Sequence, residues 1–191
     1  VNQIKELNSF LRECKANKEW HITYNGLVFD SQITEYFLMN QEGFEKGDPE
    51  MVANLVYTKA QDIIRRQDEG EFPEWSEKNL SIRCIDVFKM NHWDSPAKRS
   101  GLKWIQFSMD WFNLKEMPMH HSKVINTAAE VNEIISYCYN DVSSTKNILH
   151  ISKEQLALRK ALTKEYDINL FNASEPRISK ELFLHFLSKE T

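Results

Sequence analysis

The sequence predicts an α/β fold with a helix-rich C-terminal half, and two observations support this prediction. Two short segments, Trp20–Tyr24 and Ile82–Phe88, are rich in β-branched and aromatic residues and are typical of strands. All five glycines lie within the first 101 residues, so the remaining chain lacks the residue that is least favourable, after proline, inside helices. Both strands are therefore expected in the first half and mainly helices in the second.

Helices are predicted wherever apolar residues recur at intervals of three or four. In the first half these segments are residues 3–16, capped by Asn2, and residues 31–39 and 49–66. Loops are expected over residues 41–50 and 69–79. In the second half a helix opened by Pro96 contains Leu102, Ile105, Gln106 and Met109, and further helices cover residues 153–165 and 179–189, separated by a turn at 169–176.

The most regular predicted helix begins near Thr127. Its apolar positions keep a spacing of three or four residues over about five turns. The apolar stripe centres on Ile134, Cys138 and Val142, which we expect to face the core. Tyr137 and Asp141 lie at the border of this stripe, at the rim of the core.

Composition excludes several classes of protein. The formal net charge is −4, from 24 basic and 28 acidic residues, which is too acidic for a protein that coats nucleic acid through a broad basic face. No segment approaches the ~20 apolar residues of a bilayer-spanning helix, so no membrane association is expected. The three cysteines lack a CxxC motif, which favours a reducing cytoplasm over a disulfide framework or zinc knuckle.

The first segment that could take part in catalysis or binding is Asn25-Gly26-Leu27-Val28-Phe29-Asp30. Here a predicted strand ends in a glycine turn, and an aspartate follows the turn. Carboxylates at such junctions are well placed to bind metal, because the carboxyl ends of strands open onto a cleft. A structural role is equally open. Asp30 could cap the following helix by accepting hydrogen bonds from the amides of Gln32 and Ile33.

The second segment is Tyr137-Cys138-Tyr139-Asn140-Asp141-Val142 on the most regular helix. Tyr137 and Asp141 are four residues apart, so they lie one turn from each other on the same side. This places a phenol beside a carboxylate. The alternative is a half-buried tyrosine next to a solvated aspartate.

Together, these two segments resemble the second and third exonuclease motifs of the tyrosine-type DEDD superfamily. The resemblance is to the proofreading 3′-to-5′ exonuclease domain of family B DNA polymerases of phage and bacterial type, and it covers roughly residues 18–150. It implies a ribonuclease H-like exonuclease domain over residues 1–150. Residues 151–191 are then a helical extension, or a linker to a following module such as a polymerase.

The resemblance also implies the chemistry. Enzymes of this family use two divalent metal ions, Mg²⁺ or Mn²⁺, to hydrolyse the terminal phosphodiester at the 3′ end of single-stranded DNA. By position, Asp30 and Asp141 match metal ligands and Tyr137 matches the tyrosine that orients the attacking water. These three residues are the expected catalytic set.

Substrate contacts are implied at other positions. Asn25 matches a residue that places the 3′-terminal nucleotide, and Phe29 is a candidate contact that is better explained as core. Asp86 is interpreted as structural rather than metal-binding. Separately from the resemblance, Lys98, Arg99 and Lys103 form a small basic cluster before Trp104 that could steer the phosphate backbone, or could be a solvated helix face.

The family's first motif, D-x-E on the opening strand, has no counterpart at the expected place. The one D-x-E triplet, Asp48-Pro49-Glu50, follows the second motif and contains a central proline. Either the motif and its strands lie upstream of Val1, as the missing initial Met suggests, or the chain is an abbreviated and inactive relative. In both cases we expect the fold to be truncated at its N-terminal strands, which leaves strand edges unpaired.

Three functions follow from these expectations. The first is a metal-dependent 3′-to-5′ exonuclease, and the second is an inactive nucleic-acid-binding or scaffold module that retains the fold. The third is a mostly helical interaction protein in which both motifs are coincidental.

Overall fold

The computed structural model describes residues 3–91, 100–120 and 123–190, which form a mixed α/β and mostly helical structure. The chain divides into two compact units, Val1–Asp86 and Val87–Thr191, which we describe separately. The domain boundary expected after residue 150 stays a prediction. Within the described ranges, no helix combines the length and the apolar character needed to cross a bilayer.

The first unit contains both strands and the first four α-helices. Its elements are α1 (Ile4–Ala16), β1 (Trp20–Thr23), α2 (Asp30–Met39), α3 (Gln41–Lys46), α4 (Pro49–Asp68), a single 3₁₀ turn (Glu77–Asn79) and β2 (Arg83–Asp86). The predictions of α1, β1, α2 and α4 are confirmed to within about two residues.

The two strands pair with each other in parallel, from Trp20 opposite Arg83 to Thr23 opposite Asp86. A parallel pair requires a long crossover connection, and α2, α3 and α4 provide it here. Because both strands end at the same edge, the turn that follows β1 lies beside Asp86.

The prediction of a loop over residues 41–50 is wrong. These residues form α3 and the start of α4. Phe44 is buried in the core of the first unit, with its ring 5.1 Å from that of Phe37 in an edge-on arrangement. Asp48 is the N-cap of α4, because its side chain accepts a hydrogen bond from the amide of Met51, and Pro49 occupies the first turn. The D-x-E triplet is therefore a helix start.

The second strand is shorter than predicted, because Val87 and Phe88 belong to the short helix α5 (Val87–Asn91). Both side chains are buried, and so is that of Met90. β-Branched and aromatic residues occur in short buried helices as well as in buried strands, so the residue types do not show where β2 ends.

The rest of the second unit is helical. Its further elements are α6 (Leu102–Ser108), α7 (Ala128–Ile151), α8 (Lys153–Tyr166) and α9 (Glu175–Glu190). These helices were predicted, although α9 begins four residues earlier because Pro176 is tolerated in a first turn. Pro96 and Asn2, predicted to open helices, lie outside the described residues.

The start of α7 is fixed by a capping box. The Thr127 hydroxyl accepts a hydrogen bond from the amide of Glu130, and the Glu130 carboxylate accepts one from the amide of Thr127. These two reciprocal hydrogen bonds explain why α7 begins directly after Thr127, as the sequence predicts.

An arginine organises the small core of the second unit. Arg159 is 1% exposed, and its guanidinium donates to the carbonyl oxygens of Ala173, Gln155 and Met90 at 3.1, 3.1 and 3.2 Å. Burial lowers its pKa, since charge is costly away from water. Leu170, Ala173 and Ile178 form the adjoining apolar cluster.

The face that α7 buries differs from the prediction. Cys138 and Val142 of the expected core stripe are exposed, whereas the buried residues are Asn140, Ser144, Thr145 and Ile148. Two of these buried polar residues have side-chain partners: Gln106 Nε2 donates to the Ser144 hydroxyl at 2.7 Å, and Trp111 Nε1 donates to Asn140 Oδ1 at 2.9 Å. The buried face of α7 therefore includes polar residues that an apolar stripe does not predict.

Candidate functional site

Asp86 shapes the turn that carries the first motif. Its side chain is fully buried, and its two carboxylate oxygens accept hydrogen bonds from the amides of Asn25 at 2.8 Å and Leu27 at 3.2 Å. Asn25 has a φ of +59°, a left-handed conformation that asparagine tolerates better than most residues. This geometry agrees with the interpretation of Asp86 as structural.

Gly26 is required by the same turn. A Cβ atom at this position would lie 2.4 Å from the Cβ of Thr23, closer than any side chain could fit. Its carbonyl accepts a hydrogen bond from the amide of Ser31 at 2.8 Å. The backbone geometry of the turn therefore explains why asparagine and glycine occupy positions 25 and 26. The turn leads directly into α2.

Asp30 is the first residue of α2 and is not its cap. The amides of Gln32 and Ile33 donate to the carbonyl oxygen of Phe29, at 3.0 and 3.1 Å, so the predicted capping role of Asp30 is wrong. Asp30 is an exposed residue, yet the protein around its carboxyl group desolvates it and raises its pKa. The neighbouring Phe29 lies in an apolar groove with Ile33 and Phe37.

The second motif lies in a cluster around Asp141 in the second unit. Lys103 Nζ lies 2.5 Å from Asp141 Oδ1, and Gln106 Nε2 donates to the same oxygen at 3.0 Å. The Lys103 ammonium also lies 4.4 Å from the centre of the Tyr137 ring. The half-buried Asp141 is therefore beside a cation, a neutral donor and an aromatic face.

Tyr137 and Gln106 complete this cluster. Partial burial, and then hydrogen bonding to Asp141, raise the pKa of Tyr137 to about 12, so its hydroxyl stays protonated at neutral pH. Gln106 is fully buried, and its Oε1 has no hydrogen-bond partner among the described residues. The amide of Gln106 thus contacts Asp141 through its nitrogen, and its oxygen is buried without a partner among these residues.

The described oxygens of this cluster do not by themselves form a complete two-metal centre. Carboxylate and amide oxygens are ligands that Mg²⁺ and Mn²⁺ accept. Within the described ranges, however, no three His, Cys, Asp or Glu side chains are grouped so that they could hold a metal ion. Asp30 belongs to the first unit and Asp141 to the second.

The remaining predicted residues have different outcomes. Lys103 is an ion-pair partner of Asp141 rather than part of a solvated helix face. Lys98 and Arg99 lie outside the described residues. Sequence reasoning missed Gln106 as a site residue, although its position three residues after Lys103 places both on one side of α6.

Comparison of the chain with known protein families, curated proteins and solved structures found no match. The interpretation of the site therefore depends on its own geometry and on the two sequence motifs.

Proposed function

We propose that this protein is a metal-dependent 3′-to-5′ exonuclease of ribonuclease H-like fold that hydrolyses terminal phosphodiesters of single-stranded DNA in phage or bacterial replication and proofreading. The observation that supports this most is the arrangement at Asp141. A half-buried carboxylate lies one helical turn from a protonated tyrosine and binds a cationic group on one oxygen. This pairing of residue types matches the third motif of the family.

In this proposal Asp30 and Asp141 are metal ligands. The bound ions would activate a water molecule and stabilise the leaving 3′ oxygen. Tyr137 keeps its proton at neutral pH and can hold a water molecule by hydrogen bonding. With a cation at Asp141, Lys103 would be available to pair with a phosphate oxygen of the substrate.

The proposed substrate is the 3′ end of a single strand. Asn25 and Phe29 would contact the terminal nucleotide, and Lys98, Arg99 and Lys103 would hold the backbone. A polymerase module or another replication protein is the expected partner, and the cytoplasm is the expected location.

The experiment uses the natural polypeptide that contains these residues and 5′-labelled single-stranded DNA with Mg²⁺ or Mn²⁺. Loss of one metal ligand, as Asp30→Asn or Asp141→Asn, should slow nucleotide release about a hundredfold or more. Asp110→Asn is the matched control, since Asp110 is an exposed carboxylate of the second unit at a left-handed φ that asparagine also accepts. Full activity in either ligand variant would contradict the proposal.

A second candidate is a catalytically inactive nucleic-acid-binding or scaffold module. It is favoured by the Lys103–Asp141 ion pair, which already neutralises the carboxylate, and by the lack of a three-residue metal group among the described residues. It predicts salt-sensitive binding of single strands without any metal-dependent release of nucleotides. The same assay therefore separates the two candidates.

A further inference from the structure

A groove runs along α7 opposite residues 111–115 of the second unit. Its volume is about 410 Å³, within the range of ligand-binding clefts. Three aromatic residues line it: Trp111, Phe112 and Tyr139. Two of them are unusually accessible, because Phe112 is 86% exposed and Tyr139 is 75% exposed.

One buried side chain lines this groove with an unused donor. Asn140 is 4% exposed, and its Oδ1 accepts a hydrogen bond from Trp111 Nε1 at 2.9 Å. That bond fixes the orientation of the amide, so Nδ2 is the free end, and it has no partner among the described residues. A buried donor without an acceptor is costly. Nδ2 is closed to solvent in the structure, so an acceptor atom of a ligand would remove this cost once the groove wall opens around Asn140.

The charge of the groove is positive. Of its described lining residues, one is ionised, namely Lys115, whose Nζ donates to the Ser136 hydroxyl at 2.8 Å. The chain as a whole has a formal net charge of −4. A local cation beside exposed aromatic faces on an acidic protein suits an anionic ligand with flat rings.

We propose that this groove binds a nucleotide of single-stranded DNA. The base stacks against Phe112 and Tyr139, a carbonyl oxygen of the base accepts from Asn140 Nδ2, and the phosphate pairs with Lys115. The inference deepens the proposed function and rests on it for the nature of the polymer. A second groove, lined by Lys115, Ser136 and Tyr137 and also by the carboxylates of Glu116 and Glu133, adjoins the first. The phosphate is therefore placed on the side of Lys115 that faces Phe112 and Tyr139, and the bound nucleotide lies close to the candidate site at Tyr137.

Binding is measured by fluorescence anisotropy with a 5′-labelled oligothymidylate in EDTA, so that no cleavage occurs. Phe112→Ala and Tyr139→Ala should each weaken binding about tenfold, which is typical of the loss of one stacked base. Lys115→Ala should reduce the salt dependence of binding by about one phosphate contact. Phe72→Ala and Lys160→Ala are controls, as an exposed aromatic and an exposed lysine elsewhere, and should bind like the wild type.

Asn140→Leu tests the donor directly and should also weaken binding. Because Asn140 is buried, this variant is compared with the wild type by circular dichroism, and the exposed aromatic variants provide the decisive result. Equal binding by the wild type, Phe112→Ala and Tyr139→Ala, or no binding by the wild type, overturns the inference.

The same proteins separate this inference from the proposed function. If the aromatic variants lose binding and the wild type releases no nucleotides with Mn²⁺, the groove proposal is supported and the exonuclease proposal is contradicted. If nucleotide release depends on Asp141 and the aromatic variants bind DNA like the wild type, the exonuclease proposal is supported and the groove proposal is contradicted.

Discussion

Lys103 and Asp141 form an ion pair of 2.5 Å on the oxygen that a metal ion would be expected to use. The positive charge of Lys103 opposes the approach of a second cation to this carboxylate. Lys103→Met should therefore raise the affinity for Mn²⁺ about tenfold or more, measured by electron paramagnetic resonance titration. In an Asp141→Asn background, Lys103→Met should leave the Mn²⁺ affinity unchanged. Equal Mn²⁺ affinities of the wild type and Lys103→Met would contradict the prediction.

Gly26 and Gly43 should respond to alanine in opposite directions. A Cβ at Gly26 would lie 2.4 Å from the Cβ of Thr23, so Gly26→Ala should lower the free energy of unfolding by about 1 to 3 kcal/mol. A Cβ at Gly43 in α3 would meet no described atom within 4 Å, so Gly43→Ala should raise it by about 0.5 to 1 kcal/mol. Urea denaturation measures both, and an unchanged midpoint for Gly26→Ala would show that the turn can rearrange.

The buried Arg159 should be essential for stability. Arg159→Met removes the guanidinium from the carbonyl oxygens of Ala173 and Met90, whereas that of Gln155 keeps its helical partner, and this should lower the free energy of unfolding by about 2 to 4 kcal/mol. Arg177→Met is the matched control, because Arg177 is an exposed arginine paired loosely with Glu181 at 3.7 Å, and its effect should stay within about 0.5 kcal/mol. Similar denaturation midpoints for the two variants would refute the role given to Arg159.

The capping box of α7 should make stability depend on acid pH. A hydrogen bond from Lys123, followed by those from the amide of Asn126 and the Thr127 side chain, lowers the pKa of Glu130 from 4.5 to about 2. Because the folded-state pKa lies below the unfolded value, ionised Glu130 stabilises the fold above pH 4.5, and this contribution is lost as the pH falls to about 2.

The measurement is thermal unfolding of the wild type, Glu130→Gln and the control Glu133→Gln across this range. The difference in unfolding temperature between the wild type and Glu130→Gln should become smaller as the pH falls. A constant difference would mean that the capping carboxylate does not titrate in the way inferred.

Helices of the first unit could be predicted because their signals are local. The spacing of Ile4, Leu7, Leu11 and Cys14 defines α1 without reference to any other segment. The exception is α3, which is only six residues long and is held by the burial of Phe44. A contact of that kind depends on the packing of distant residues, so composition alone made the segment look like a loop.

At the candidate site, residue types were easier to predict than their partners. The proximity of Tyr137 and Asp141 follows from helical spacing. The contacts of Asp141 with Lys103 and Gln106 join two separate helices, and no periodicity contains that information. The buried face of α7 was misjudged for the same reason, since the polar Ser144 is buried in contact with Gln106 of another helix.

The parallel pairing of β1 with β2 has a consequence for synthesis of the chain. Trp20 leaves the ribosome long before Arg83, its partner in the sheet. During that interval the edge of β1 that later pairs with β2 has exposed backbone groups. Closing such a long loop costs chain entropy before the strand contacts can compensate. We therefore expect the helices of the first unit, whose contacts are more local, to form before the two strands pair.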